Sequence, residues 1–283
     1  MKNVAIITDT IACLTPEQIK KHDIILVPPK IYSAGQVYRD GVDITPAQAY
    51  ELFLKDPETF KTSGPSPEDC LQAYRVAAQN YSSALFITCS SQISMIYNSA
   101  VTALDIAEKE LPGIHIEVLD SCTATPSEGL IVLAAAEAAA TGADLMHVIA
   151  TAQNIRQKVN CIVFLETLRY VYRSGRIPKL ASTIGSSLNI RPVFTVKKTI
   201  RFIGISHSKE GCIQRTFEMM HKDIGGKPIR AAVTHAYAPD EAENFMEMVN
   251  HEFQCSEIWI TEFSPIMGYS CGTGTLGVAY HTV

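Results

Sequence analysis

The stretch Ala84-Leu85-Phe86-Ile87-Thr88-Cys89 is a short and almost purely apolar run, and Ser90-Ser91-Gln92-Ile93-Ser94 follows it at once. A helical pattern of apolar residues then covers residues 95–110. An apolar run that ends in a polar loop before a helix is typical of a strand buried on both faces of a parallel sheet. This segment therefore predicts a strand-loop-helix unit of an α/β fold.

The same alternation extends to both sides of this unit. In the first half of the chain, the pattern predicts strands at Val4–Thr8, Ile24–Pro28, Ala84–Cys89 and Ile114–Leu119, and helices at 15–22, 45–55, 67–80, 95–110 and 124–141. Such an alternation predicts a mostly parallel sheet with helices on both faces. Ligands of such sheets bind beyond the carboxyl ends of the strands, where polar residues such as Asp9, Ser90 and Asp120 follow the apolar runs.

The pattern changes after about residue 158. Strands are predicted at Cys161–Leu165, Val193–Val196, Ile200–Ser206, Ile229–His235, Glu257–Phe263 and Leu276–Thr282, with helices near 179–187, 209–224 and 239–252. A hairpin around Lys197-Lys198-Thr199 indicates antiparallel pairing, so the second half is expected to be mixed α/β. We therefore expect two lobes, residues 1–158 and residues 159–283.

Composition narrows the possible functions. The 283 residues are 47% hydrophobic and 19% charged, which argues against disorder, and the apolar runs are too short to span a bilayer. The net charge of -5 gives no reason to expect nucleic acid as a partner, and it predicts at most transient contact with a membrane. The chain opens on a strand-like segment without a leader peptide, so we expect a cytoplasmic protein. Eight scattered cysteines without a C-x-x-C pair, and the absence of metal-binding histidine spacings or a P-loop, predict no metal and no cofactor.

The segment Lys61-Thr62-Ser63-Gly64-Pro65-Ser66-Pro67-Glu68-Asp69 predicts a helix start beside several hydroxyl groups. Ser66 is a suitable N-cap, Pro67 suits the first helical position, and Asp69 completes a capping-box pattern. Backbone N–H groups and the hydroxyls of Thr62 and Ser63 could together bind a carboxylate or phosphate. The alternative is that the segment only starts a helix.

The loop Ser90–Ser94 gives a second possible anion site, because its hydroxyls lie between a predicted strand and a predicted helix. Ser91 and Ser94 are its candidate ligand contacts, although Ser94 could also serve only as the helix N-cap. Two such sites in one half of the chain favour convergence on a single acidic group.

Two glycine-rich motifs near the C-terminus suggest other chemistry. Gly272–Gly277 matches the dinucleotide pattern G-x-G-x-x-G, but no helix or acidic residue can follow it before Val283. Gly268–Gly272 matches the nucleophile motif G-x-S-x-G around Ser270. No Asp or Glu follows Ser270 and only His281 does, so a serine esterase remains an alternative that would need an acid from earlier in the chain.

Taken together, a series of motifs in the same order along nearly the whole chain resembles the DegV family. These motifs are Ile7–Thr10, Tyr38–Asp43, Lys61–Pro67, Ser90–Ala100, Leu119–Ser121, Thr167–Ile177, Leu188–Pro192 and Gly268–Gly277. The resemblance implies two α/β lobes with a fatty acid buried between them. It also implies a non-enzymatic subunit that presents the acid to a separate fatty acid kinase.

The resemblance assigns roles to single residues. Thr62 and Ser94 match the threonine and serine that bind the acyl carboxylate in the family, and both agree with the two predicted anion sites. Arg173 and Arg176 are candidate contacts to the kinase or to its phosphoryl group. The chain departs from the family pattern at Met95-Ile96, where Gly-Thr is usual, and at Ser270, where a histidine is usual. A binder of a different amphiphile or anion is therefore a third possibility.

Overall fold

The computed structural model describes residues 2–171, 175 and 190–283. Its strands in chain order are β1 (Lys2–Asp9), β2 (Ile25–Val27), β3 (Lys30–Ser33), β4 (Gln36–Arg39), β5 (Lys61–Ser63), β6 (Tyr81–Thr88), β7 (His115–Asp120), β8 (Asn160–Phe164), β9 (Arg191–Val196), β10 (Ile200–Ser206), β11 (Ile229–His235), β12 (Cys255–Glu262) and β13 (Leu276–Thr282). Its helices are α1 (Pro16–His22), α2 (Pro46–Lys55), α3 (Pro67–Asn80), α4 (Ile96–Glu110), α5 (Pro126–Ala140), α6 (Leu145–Lys158), α7 (Lys209–Ile224), α8 (Pro239–Glu252) and α9 (Pro265–Cys271).

The first half of the chain forms the predicted parallel sheet, in the order β2-β1-β6-β7. Its central strands are paired through Ile7 and Phe86, which are both fully buried. Helices α3 and α4 pack together against this sheet, and α5 and α6 form a second packed pair against it. The prediction of a parallel sheet covered by helices is confirmed.

The second half forms a six-stranded sheet in the order β10-β9-β8-β13-β11-β12. Every neighbouring pair is antiparallel except β11 and β12, which run parallel. The turn at residues 197–199 joins β9 to β10, as the hairpin prediction required. The mixed character expected for this half is therefore confirmed.

A third, small sheet was not predicted. Strands β4, β3 and β5 form an antiparallel sheet in which Thr62 of β5 lies opposite the buried Ile31 of β3. These strands are only three or four residues long, too short for an alternating pattern to stand out in the sequence. Thr62 and Ser63 therefore lie in a paired strand rather than in the open loop that was expected.

Helix α5 packs against strands of both larger sheets, including β1 and β13. Residues 126–136 are all buried, which explains the apolar, alanine-rich sequence, since a helix without a polar face must be surrounded by protein. At Gly129, a Cβ atom would lie 2.4 Å from the carbonyl oxygen of Ala12. The glycine is thus required by the close approach of the helix to the loop after β1.

Helix α3 spans the residues that the sequence predicted, and Ser66 and Asp69 form the expected capping box. Helices α6 and α9 were not predicted. Residues 179–187, where a further helix was expected, lie outside the described residues.

All strands of the parallel sheet precede residue 121 and those of the mixed sheet follow residue 159, but the lobe boundary near residue 158 stays a prediction. In the described part of the chain, every helix is too short or too polar to cross a bilayer.

Candidate functional site

Three of the predicted ligand-binding residues line one small cavity, and a fourth candidate, Ser91, and Ser270 do not. Thr62 and Ser63 reach it from β5, and Ser94 reaches it from the loop before α4. The cavity has a volume of about 20 Å³ and lies between α9, the strand β5 of the small sheet and the loop before α4. We refer to this cavity, defined by Thr62, Ser63 and Ser94, as the hydroxyl cavity.

The hydroxyl groups of this cavity are largely available to a ligand. The Thr62 hydroxyl has no hydrogen-bond partner among the described residues, while Ser63 Oγ lies 3.3 Å from the Tyr32 hydroxyl. All three side chains are half-buried, so a bound group would be partly shielded from water. No Lys or Arg side chain is among the described residues that line the cavity, so a carboxylate there would be bound by uncharged donors.

Ser94 is not the N-cap of α4, so the structure removes the alternative to a ligand-binding role that the sequence left open. The cap is Met95, which makes no side-chain hydrogen bond, and α4 begins at Ile96. Ser94 Oγ accepts a hydrogen bond of 3.4 Å from the Ile96 N–H and keeps its own proton for another acceptor. Met95 is 65% exposed and Ile96 is fully buried at the cavity wall, so only Ile96 of this unusual pair narrows the cavity.

A second cavity, of about 30 Å³, lies on the other side of Ile266 and Met267. Both residues belong to α9 and line both cavities. The rest of the second cavity is formed by apolar residues of the mixed sheet and by α9, namely Val163, Leu165, Phe194, Val196, Ile200 and Phe263, together with Thr125, Ser270 and Cys271. We call this the apolar cavity.

Helix α9 is fixed at its start and closely packed along its length. Ser264 is its N-cap and donates a hydrogen bond of 2.7 Å to Asp40. The hydroxyl of Tyr50 on α2 donates to the Phe263 carbonyl at 2.8 Å. A Cβ atom at Gly268 would lie 1.8 Å from the same hydroxyl oxygen, so this position must be glycine for α9 to approach α2. The wall between the two cavities therefore depends on contacts between the two halves of the chain.

Ser270 lines the apolar cavity and not the hydroxyl cavity. It lies within α9 rather than in a turn between a strand and a helix, so the context of a nucleophile motif is missing. Its hydroxyl donates to the Met267 carbonyl at 2.8 Å, and no histidine or carboxylate of the described residues contacts it. Burial raises the pKa of its neighbour Cys271 to about 12, so this thiol is neutral and suits an apolar wall. The arrangement gives no support to the esterase alternative.

Ser91 lies apart from the other candidates. Its hydroxyl donates to Asp120 at 2.6 Å, which ties the loop after β6 to the end of β7. This contact gives Ser91 a structural role and leaves it without a place in the hydroxyl cavity.

Arg173 and Arg176, the candidate kinase contacts, lie outside the described residues. Among the described residues, no group of three or more His, Cys, Asp or Glu side chains is placed to hold a metal ion.

No motif in the sequence pointed to Ile266 and Met267. They are two apolar residues between Pro265 and a glycine-rich motif, and such pairs are common in protein cores. Only the packing of α9 between the two cavities shows that they separate the hydroxyls from the apolar cavity.

Comparison with known proteins matches the chain along nearly its whole length. Protein DegV of Bacillus subtilis is 27% identical over 282 residues, which cover 98% of this chain and 99% of that protein. A DegV domain-containing protein of Clostridium acetobutylicum is 30% identical over 285 residues, with 99% and 98% of the two chains covered.

Solved structures share the fold. A DegV family protein from Thermus thermophilus, described in terms of its fatty acid binding, superimposes with a TM-score of 0.89 at 25% identity, over 99% of this chain and 100% of that one. The crystal structure of DegV from B. subtilis, described as a fatty acid binding protein, gives 0.89 at 25% identity over the full length of both chains. A family model described as "Uncharacterised protein, DegV family" matches residues 3–283, and the chain therefore belongs to the DegV family.

Proposed function

We propose that the protein binds a fatty acid with its carboxylate in the hydroxyl cavity and its chain in the apolar cavity. The observation that carries the proposal is that one pair of side chains, Ile266 and Met267, forms the wall between a group of free hydroxyls and an apolar cavity. The fatty acid binding described for the relatives from T. thermophilus and B. subtilis supports it.

The two cavities are expected to contribute differently to the free energy of binding. A hydrogen bond to a carboxylate contributes about 1.5–3 kcal/mol, and much of this is offset by loss of water from the carboxylate. Burial of a methylene contributes about 0.8 kcal/mol, so roughly a dozen methylenes give on the order of 10 kcal/mol before the costs of association. The chain is therefore expected to set the affinity, while Thr62 and Ser94 orient the acid.

Binding requires a change of the cavity walls. Volumes of about 20 and 30 Å³ are of the order needed for one or two water molecules, whereas an acyl chain is many times larger. Ile266 and Met267 lie directly between the two cavities, so their movement joins them. We infer that displacement of α9 side chains accompanies binding.

The same geometry suits presentation of the acid to a second protein. Gly64 beside the hydroxyls is exposed, as is Met95, so the hydroxyl cavity lies close to the surface. The apolar cavity lies against the mixed sheet. On this proposal the carboxylate is the end that a separate acyl kinase reaches, and Arg173 and Arg176 remain candidates for its docking site.

The direct test is organic extraction of the purified protein followed by mass spectrometry. A stoichiometric long-chain fatty acid is the expected result. Recovery of a different amphiphile or anion would overturn the assignment of the ligand. A covalent adduct on Ser270 after treatment with a fluorophosphonate probe would instead revive the esterase alternative.

A further inference from the structure

A larger cavity than either of those above lies elsewhere between the two halves of the chain, and the proposed function does not use it. It has a volume of about 420 Å³, within the range of small-molecule sites in proteins. Its walls come from the end of β1, the start of α1 and the segment before α2 on one side, and from the ends of β11 and β12 on the other.

The charged side chains among the described residues that line this cavity are all acidic. Three carboxyl groups line it, from Asp9, Asp40 and Glu262, and no Lys or Arg is among its described lining residues. His235 also lines it, but burial lowers its pKa, and its Nδ1 accepts a hydrogen bond of 3.1 Å from the Ala238 N–H. The imidazole is therefore neutral at physiological pH and does not balance the carboxylates.

Asp40 is the group that most needs a partner. Only 1% of it is exposed, and its Oδ2 accepts hydrogen bonds from Thr10 and Ser264, which line the same cavity. Its Oδ1 is buried and has no hydrogen-bond partner among the described residues. A buried carboxylate oxygen without a partner is costly, so burial raises the pKa of the Asp40 carboxyl, and a bound cation would relieve the same cost.

Glu262 adds a second acid, and it is half-buried. Its carboxyl makes no hydrogen bond or ion pair among the described residues, and it lines the same cavity. Burial and, secondly, the negative charge of Asp40 raise its pKa to about 7, so the two acids repel each other. Asp9 differs from both, since each of its oxygens accepts a backbone hydrogen bond of 3.0 Å, from Ile11 and Cys89.

The cavity also has an apolar part. Leu14, Ile19, Leu26 and Ile260 line it, beside further hydroxyl groups from Thr15, Thr45 and Thr261. A bare metal ion would use neither this surface nor most of the volume. An organic cation with an alkyl portion would use both.

We propose that this cavity binds a small organic amine, with its ammonium group between Asp40 and Glu262 and its alkyl portion against the apolar wall. The site is separate from the fatty acid cavities. Binding of an amine there is independent of whether a fatty acid is the ligand of the hydroxyl cavity.

Isothermal titration calorimetry at pH 8 and low ionic strength tests the proposal with hexylamine and, as the uncharged probe, hexan-1-ol. Because a charge-assisted hydrogen bond is lost with the alcohol, hexylamine is expected to bind at least about tenfold more tightly. Equal affinity for the two probes would overturn the proposal, since any apolar cavity of the protein could then account for it.

The variant Glu262→Gln tests whether hexylamine binds in this cavity. The substitution removes a carboxylate that has no partner to lose among the described residues, unlike Asp40, which joins Thr10 to Ser264 across the interface. It is expected to weaken hexylamine binding about tenfold and to leave hexan-1-ol unaffected. Glu243→Gln, on the exposed surface of α8, is the matched control and should stay within about twofold of the parent protein. If both variants bind hexylamine equally well, the amine does not bind at this site.

Discussion

At the residue scale, hydrogen-bond partners separate a hydroxyl that is available to a ligand, such as that of Thr62 or Ser94, from one with a structural role, such as that of Ser91. Ser91 and Ser94 look alike in the sequence, since both lie in the loop after β6. In the structure, Ser91 is bonded to Asp120, which lies 29 residues away, whereas the proton of Ser94 remains available. Sequence position placed both serines in one loop, but only the long-range contact separates the two.

Replacement of Thr62 by Val, together with Ser94→Ala, tests the hydroxyl cavity. Valine keeps the branched shape of threonine, so the fold should be retained. The affinity for a long-chain fatty acid is expected to fall about tenfold or more, because two charge-assisted hydrogen bonds are lost. Binding of the methyl ester of the same acid, measured by fluorescence displacement, should hardly change. An equal loss for the acid and its ester would show that the hydroxyls do not bind the carboxylate.

At the element scale, the elements that the sequence predicted correctly are those whose signal comes from neighbouring residues. The limits of α3 were predicted because a Ser-Pro cap and a capping box are formed by neighbouring residues. Strands β3, β4 and β5 were missed because they are only three or four residues long, so their sequences carry no alternating pattern of their own. Helix α9 was missed because its last turn carries a glycine-rich sequence that is typical of turns.

Shortening Met267 tests the role of α9 as the wall between the cavities. Met267→Ala and the control Met220→Ala, in the core around α7, should each destabilise the protein by about 2–5 kcal/mol, because both side chains are buried. Met267→Ala also opens the passage between the cavities. A fatty acid should therefore raise its melting temperature more than that of the parent protein.

The control variant Met220→Ala should show the same fatty acid-induced rise as the parent, since its new cavity is far from α9. Differential scanning calorimetry with and without oleate measures both shifts. Identical shifts in the two variants would contradict the proposed position of the acyl chain.

At the scale of the whole molecule, α5 holds the two larger sheets together. The sequence predicted a helix over residues 124–141, where α5 lies. It could not predict that α5 touches both sheets, because that depends on how the two halves of the chain meet. Polar contacts across the junction, such as Thr123 to Val196 and Ser90 to Lys198, likewise link residues more than 70 positions apart.

Gly129→Ala tests this arrangement. Alanine favours a helix by about 1 kcal/mol, but its Cβ would lie 2.4 Å from the Ala12 carbonyl oxygen and force α5 away from β1. A net loss of about 1–3 kcal/mol in the free energy of unfolding is expected from urea titration. Gly113→Ala, where a Cβ would meet no atom within 4 Å, should change it by less than about 0.5 kcal/mol. Equal effects would mean that the close contact at Gly129 relaxes without cost.

The position of Ile266 and Met267 has a consequence for how this protein can evolve. The same two side chains border the hydroxyls proposed to bind the carboxylate and the cavity proposed for the chain. On that proposal, a mutation that admits a bulkier or bent tail also reshapes the surroundings of the acid group. Selection for a new lipid is thus expected to act on both recognition steps at once, and paralogues with different lipid preferences should differ together at α9 and beside Thr62.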